Sequence, residues 1–158
     1  MAVQSEILVT DSDGSTVQGE RENGSSFVHE FKFTINKPSE ISGSMHTGIR
    51  RVDVFWLVKD IDRLSPPLLD ALTNNKELQE IKVTLYRIGL ESGEHEPFFQ
   101  YKLTGARIVS VENWMPFVHD PETAAMPNME KIGMVAREFS ITHLIHNMES
   151  IIQTYGVE

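Results

Sequence analysis

Apolar residues along this chain recur mostly at every second position, the period of a β-strand with one buried face. From Phe27 to Ile35 the alternation places Phe27, His29, Phe31, Phe33 and Ile35 on one face and Val28, Glu30, Lys32 and Thr34 on the other. Over 80–88, Ile81, Val83 and Leu85 alternate with Lys82, Thr84 and Tyr86, and EILVT at 6–10 is a shorter strand of the same kind. Phe99, Tyr101 and Leu103 continue the pattern, with Gly105 marking a bulge or turn before Arg107 to Val111. Met129 to Ile141 predicts a further strand, with Gly133 at a candidate bulge. The segment IRRVDVFWLVKDID differs, because Val52, Val54, Trp56 and Val58 share one face while Phe55 and Leu57 occupy the other. Apolar residues on both faces predict cover on both sides, from a second sheet, a helix or another subunit.

One stretch, DRLSPPLLDALTNN, has helical grammar. Ser65 is placed to cap a helix, Pro66 suits its first position, and Leu64, Leu68 and Leu72 form a stripe at every fourth residue. Pro67 disfavours the α conformation at Pro66 and predicts an irregular first turn. Two turns of helix are not stable alone in water, so the expected helix, about residues 65–74, must lie against a sheet. The tail HLIHNMESIIQTYGVE predicts a second short helix through Leu144, Met148, Ile151 and Ile152. The connections are polar and turn-rich. GLESGEHEP reads as a hairpin turn, NWMPFVHDPETAAMPN as a long irregular segment, and KPSEISGSMHTG, Lys37 to Gly48, as an exposed loop of a length associated with function.

Composition narrows the function classes. The 158 residues suit one domain over 1–158 with a substantial core. The absence of cysteine excludes disulfides, thiolate zinc sites and cysteine nucleophiles. With neither a basic, apolar leader nor an apolar run of membrane length, the chain reads as soluble, without a Sec signal and without a membrane partner. A net charge of −9 argues against a phosphate-binding surface, so no nucleic-acid partner is expected. Asp11 and Asp13 invite a calcium-loop reading, but the sixth position is Thr16 where glycine is needed, and helical flanks are absent. The histidines are dispersed except for His143 and His146, which lack an HExxH pattern; His29 reads as a residue satisfied by hydrogen bonds. Neither GxxxxGK[ST] nor GxSxG occurs. The expectation is a protein with no catalytic residues, no metal and no cofactor.

Four stretches, in order, resemble the hemolysin-coregulated proteins, the Hcp family that builds the tube of bacterial type VI secretion systems. SGSMHTGIRRVDVF is similar to the family's SG-x-x-TG-x-R-x-H-x-PF pattern at Gly43, Thr47, Gly48, Arg50 and Phe55, with Val52 and Val54 in place of its His and Pro. KDIDRLSPPLLDAL resembles K-x-ID-x-SP-x-L-x-x-AL at Lys59, Ile61, Asp62, Ser65, Pro66, Leu68, Ala71 and Leu72, the most specific of the four. EIKVTLYR with FFQYKLTGARIVSV resembles the family's strand pair, and MPFVHDPETAAMPNMEKI its MP-x-x-x-x-P and PHMExI segments, with Asn128 for the histidine. The closing W-T-H survives only as Ile141, Thr142 and His143.

The resemblance implies a mainly β fold, a compact antiparallel β-barrel of two packed sheets with one short flanking helix. It also implies homo-hexameric rings that stack into a tube inside a contractile sheath, with spike and effector proteins as partners. Such a protein would assemble in the bacterial cytoplasm and be secreted through the apparatus to the extracellular space or a target cell. Interface candidates are Ser42, Gly43, Ser44, Met45, His46, Thr47 and Gly48 in the long loop, and Val52, Val54 and Trp56 on the two-faced strand. Ser65, Pro66, Leu68 and Leu72 are expected to cap and pack the helix. The alternatives are a tail-tube protein of a phage or other contractile particle, and a monomeric cargo-binding β-barrel.

Overall fold

The computed structural model describes residues 3–37 and 50–154. Ten strands and one helix follow in order. They are β1 (Ser5–Thr10), β2 (Thr16–Val17), β3 (Ser26–Lys32), β4 (Ile35–Asn36), β5 (Arg51–Val52), β6 (Phe55–Asp60), α1 (Ser65–Thr73), β7 (Leu78–Ile88), β8 (His95–Trp114), β9 (Met129–His143) and β10 (Met148–Gln153). The sheet runs β9-β6-β3-β1-β7-β8 and closes on itself because β8 also pairs with β9. Six strands therefore form a closed antiparallel barrel, with β2 appended to β1, β10 appended to β9, and β4 paired with β5 beside it. Closure leaves the barrel strands fewer free edges than an open sheet would have.

The interior is filled from every wall. Ile7 and Val9 of β1, Leu57 of β6, Ile81 and Val83 of β7, Leu103 of β8 and Ile132 of β9 are all fully buried. Toward one end the core becomes aromatic: Phe31 stacks on Phe55 at 5.9 Å, and Phe33 lies 5.4 Å from Phe139 and 5.5 Å from Tyr101.

Strand β3 departs from the expected single aromatic face. Ser26 and Val28 point inward, while Phe27 and His29 are exposed. Val28 pairs with Lys59 but Glu30 pairs with Val58, so His29 is an extra residue in the ladder. This bulge reverses the alternation, and only beyond it do Phe31 and Phe33 turn toward the core. His29 itself lies outside, bonded to Asp60 Oδ1 at 2.7 Å and to Gln4 at 3.3 Å.

Gly105 marks a corner shared by three strands. The inward residues step from Leu78 to Ile81 on β7, from Leu103 to Ala106 on β8 and from Ala136 to Phe139 on β9, three positions where a flat strand would step two. The register is unchanged across this level, so the three strands bend together. Gly105 adopts φ 61°, a left-handed conformation that glycine takes without steric cost. The bulge in β8 comes later, at Val109, opposite Gly133 and Met134 of β9. Gly133 is not the extra residue. It sits under the Trp56 ring, where an added Cβ would come within 2.7 Å.

The tail is a strand where a helix was expected. A turn over 144–147 with Asn147 at φ 51° reverses the chain, and β10 pairs with the second half of β9. That half of β9 is free to accept it because β6 pairs only as far as Met134.

Candidate functional site

The strongest sequence motif encloses a buried ionic cluster. Lys59 occupies an inward position of β6 and is fully buried, as is Glu130 at the start of β9. The Lys59 ammonium donates to Asp62 Oδ1 at 2.8 Å, Asp60 O at 3.0 Å and Ser65 Oγ at 3.1 Å, and is ion-paired with Glu130 Oε2 at 2.7 Å. Ser65 Oγ in turn donates to Glu130 Oε2 at 2.6 Å and accepts from the Asp62 amide at 3.0 Å. Ser65 is therefore not the helix cap. Leu64 precedes α1, no side chain caps it, and Ser65 is its first residue with Pro66 second. The hydroxyl is drawn into the barrel by the two charges, and Asp62 arrests the incoming chain by accepting the Leu64 amide at 3.0 Å. Helix packing also shifts by one residue. Leu64, Leu68 and Ala71 are buried and Leu72 is half-buried, so the stripe rests on the chain's own barrel.

The two-faced strand is covered within the chain on its inner face and half-buried on its outer one. Phe55, Leu57 and Lys59 face inward. Trp56 on the outer face lies over Gly133, with the Lys131 ammonium 4.8 Å from its ring. Val54 lies beside the same glycine, and Val52 of β5 packs against the core from the side. The other interface candidates, Ser42 to Gly48, lie outside the described residues.

Several surface features had no clear signal in the sequence. The β8–β9 connection exposes Met115 at 68%, Phe117 at 66%, and also Val118 and Met126. At the β7–β8 turn, Leu90 is 97% exposed. Two hollows adjoin at the barrel corner and share Val135 and Ala136. One, of about 280 Å³, is lined also by Val52 and Phe139; the other, of about 200 Å³, lies between Glu77, Arg107 and Arg137. Arg137 is ion-paired with Glu77, and Arg107 donates to both the backbone and side-chain oxygens of Asn75 at 2.9 Å.

Titratable groups are shifted by local packing. Burial first, then a 2.6 Å hydrogen bond to Glu6, pushes the Tyr86 phenol up to about 12. Burial alone raises Tyr101. Asp70, bonded by Lys76 at 2.6 Å, is held below the usual carboxylate range. Among the described residues no three His, Asp or Glu side chains are grouped to hold a metal ion. What the arrangement offers is a closed barrel with exposed apolar and charged surfaces.

Comparison with known proteins places this barrel. The family model described as type VI secretion system effector, Hcp, matches residues 7–144, from β1 into the turn before β10. The chain belongs to the Hcp family. A relative named major exported protein, from Pseudomonas aeruginosa PAO1, is 29% identical over 133 residues, covering 84% of this chain and 76% of that protein. Among solved structures, a double mutant of Hcp1 from Escherichia coli EAEC 042 superposes with a TM-score of 0.84 at 22% identity, over 98% of this chain and all of that one. The secreted protein Hcp3 of Pseudomonas aeruginosa superposes at 0.75 with 18% identity, over 98% of this chain and 100% of that one. The Hcp fold thus extends over the barrel, α1 and β10.

Proposed function

We propose that this chain is a structural tube component of a type VI secretion system, acting through self-assembly. Copies close into homo-hexameric rings, the rings stack into the inner tube within a contractile sheath, and effectors travel with the tube behind its spike. The observation that carries this reading is the family match across the whole barrel, residues 7–144. The contact surfaces fit it, since exposed Met115, Phe117 and Val118 are unusual on a protein that stays alone in water. One domain, 1–158, would form each subunit, assembled in the cytoplasm and then exported; the relative named major exported protein fits export. The chain would have no catalytic role. Val52, Val54 and Trp56, with the loop around Ser42 to Gly48, remain the interface candidates of this reading.

Particle mass in solution tests it. Mass photometry and negative-stain imaging should show annular particles at six times the 17.9 kDa of one chain. A monomer at every concentration, with no annular particles, would favour a cargo-binding barrel instead.

A further inference from the structure

Four of the seven arginines of this acidic chain gather at one corner of the barrel, around the two adjoining hollows. Arg107 of β8 and Arg137 of β9 line the smaller hollow. Arg50 donates to Gln153 O at the end of β10, and Arg51 pairs at 3.6 Å with Asp53, which lines the larger one. The carboxylates lining the two hollows are Asp53 and Glu77. Four cations thus stand against two anions, a local excess of positive charge on a chain whose net charge is −9.

The guanidinium groups are not saturated by these partners. Each carries five N–H donors in a planar fork. Arg107 spends Nη1 on the two oxygens of Asn75 and lies 3.9 Å from Glu77, while the Arg137 side chain is paired among the described residues with Glu77 alone. One carboxylate between two guanidinium groups leaves donors for a second. Gly105 makes room for the arrangement: a Cβ there would stand 2.5 Å from Arg137 Nε and 2.8 Å from Glu77 Oε1, so bare backbone lets both side chains lie across β8.

The larger hollow, of about 280 Å³, supplies the opposite chemistry. Its lining includes core residues, with Phe139 2% exposed and Ala136 6%, and Val52 and Val135 are half-buried beside them. Water against such a lining has few groups to bond, and an apolar group replaces it favourably. Because the hollows share Val135 and Ala136, apolar lining and guanidinium rim are contiguous.

We infer that this corner binds a small amphipathic carboxylate, its apolar body resting on Phe139, Ala136 and Val135 and its head taking N–H donors from Arg137 and Arg107. A few polar groups fixing the orientation of an otherwise apolar ligand is the usual make-up of a small-molecule site, and guanidinium forks suit a carboxylate. Recognition needs both halves. A bare anion meets only exposed charges that salt screens, and a cation of the same length is repelled. The site lies within one chain and does not depend on the tube reading.

Octanoate is the probe. Isothermal titration of the unmodified protein should show saturable binding with a Kd of about 1 mM or tighter, and binding of acetate and octylamine weaker by about tenfold or more. Arg137→Gln should weaken octanoate by about tenfold or more, whereas Arg87→Gln, which removes the same charge beyond the far end of β7, should leave it unchanged. A diazirine analogue of octanoate reads the site with no substitution at all: photolabel should map to peptides carrying Val52 and Val135 to Phe139, and excess octanoate should displace it. Octylamine bound as tightly as octanoate, Arg137→Gln binding like the parent, displaceable label elsewhere on the chain, or no saturable binding would each overturn the inference.

Discussion

A fully buried ammonium is tolerable only when its charge is matched in place, and Lys59 is matched by Glu130 and Asp62 at under 3 Å. Taking both charges out of water costs about as much as their attraction returns, so the cluster fixes geometry more than it adds stability. It ties the end of β6, the start of α1 and the start of β9 to one point. Glu130 Oε1 has no hydrogen-bond partner among the described residues, a further cost of about 1–3 kcal/mol. Removing one partner is then worse than removing both. Lys59→Met should lower stability by about 3–5 kcal/mol by stranding buried carboxylates, and Glu130→Leu added to it should restore more than half of that loss. Urea unfolding of the two singles and the double decides it. Additive losses would mean that the pair is not coupled.

At the scale of elements, β10 lies outside the closed barrel, paired with β9 on one edge from Met148 to Gln153 and fixed at both ends. Asn147 turns the chain at φ 51°, and Thr154 Oγ1 donates to Ala136 O at 2.6 Å. Asn147→Val places a β-branched residue in a left-handed conformation, at a cost of about 1–2 kcal/mol. Amides of 148–153 should exchange roughly tenfold faster or more in hydrogen-exchange mass spectrometry, with the global unfolding midpoint barely moved. Unchanged protection would show that the turn does not anchor the strand. The tail was misread from sequence because Leu144, Met148, Ile151 and Ile152 fit a helical stripe, and so short a segment is decided by its neighbour. The free half of β9 is that neighbour, and no local pattern announces it. The regular strands β1 and β7 were legible because each alternates without interruption. In β3 the pattern was as clean, yet the bulge at His29 depends on how β6 aligns across from it, and the face of Phe27 was therefore read wrongly. Ser65 was expected to cap because serine before proline usually does; its partner Glu130 lies on another strand. Within the candidate site the polar hairpin turn was readable. The hollows were not, since they arise from a bend common to β7, β8 and β9.

Across the whole molecule the excess of acid sets how copies approach. At a net charge of −9, subunits repel over long range, and this repulsion is screened as the Debye length falls from about 30 Å at 0.01 M salt to about 8 Å at 0.15 M. Close pairs at a contact lose less. Assembly should therefore become easier between those two salt concentrations, appearing at several-fold lower protein concentration in mass photometry, and a flat response would show that the net charge is irrelevant to assembly. Barrel closure has a different consequence, which concerns the order in which the chain is made. Strands β1, β3 and β6 pair with one another and emerge first from the ribosome, but their outer neighbours β7 and β9 lie far downstream. Until β7 has been made the nascent protein carries a three-stranded sheet with both edges open, and the β6 edge stays open until Met134 has been synthesised and can meet Phe55. That interval of translation is when this chain is most exposed to pairing with the wrong strand.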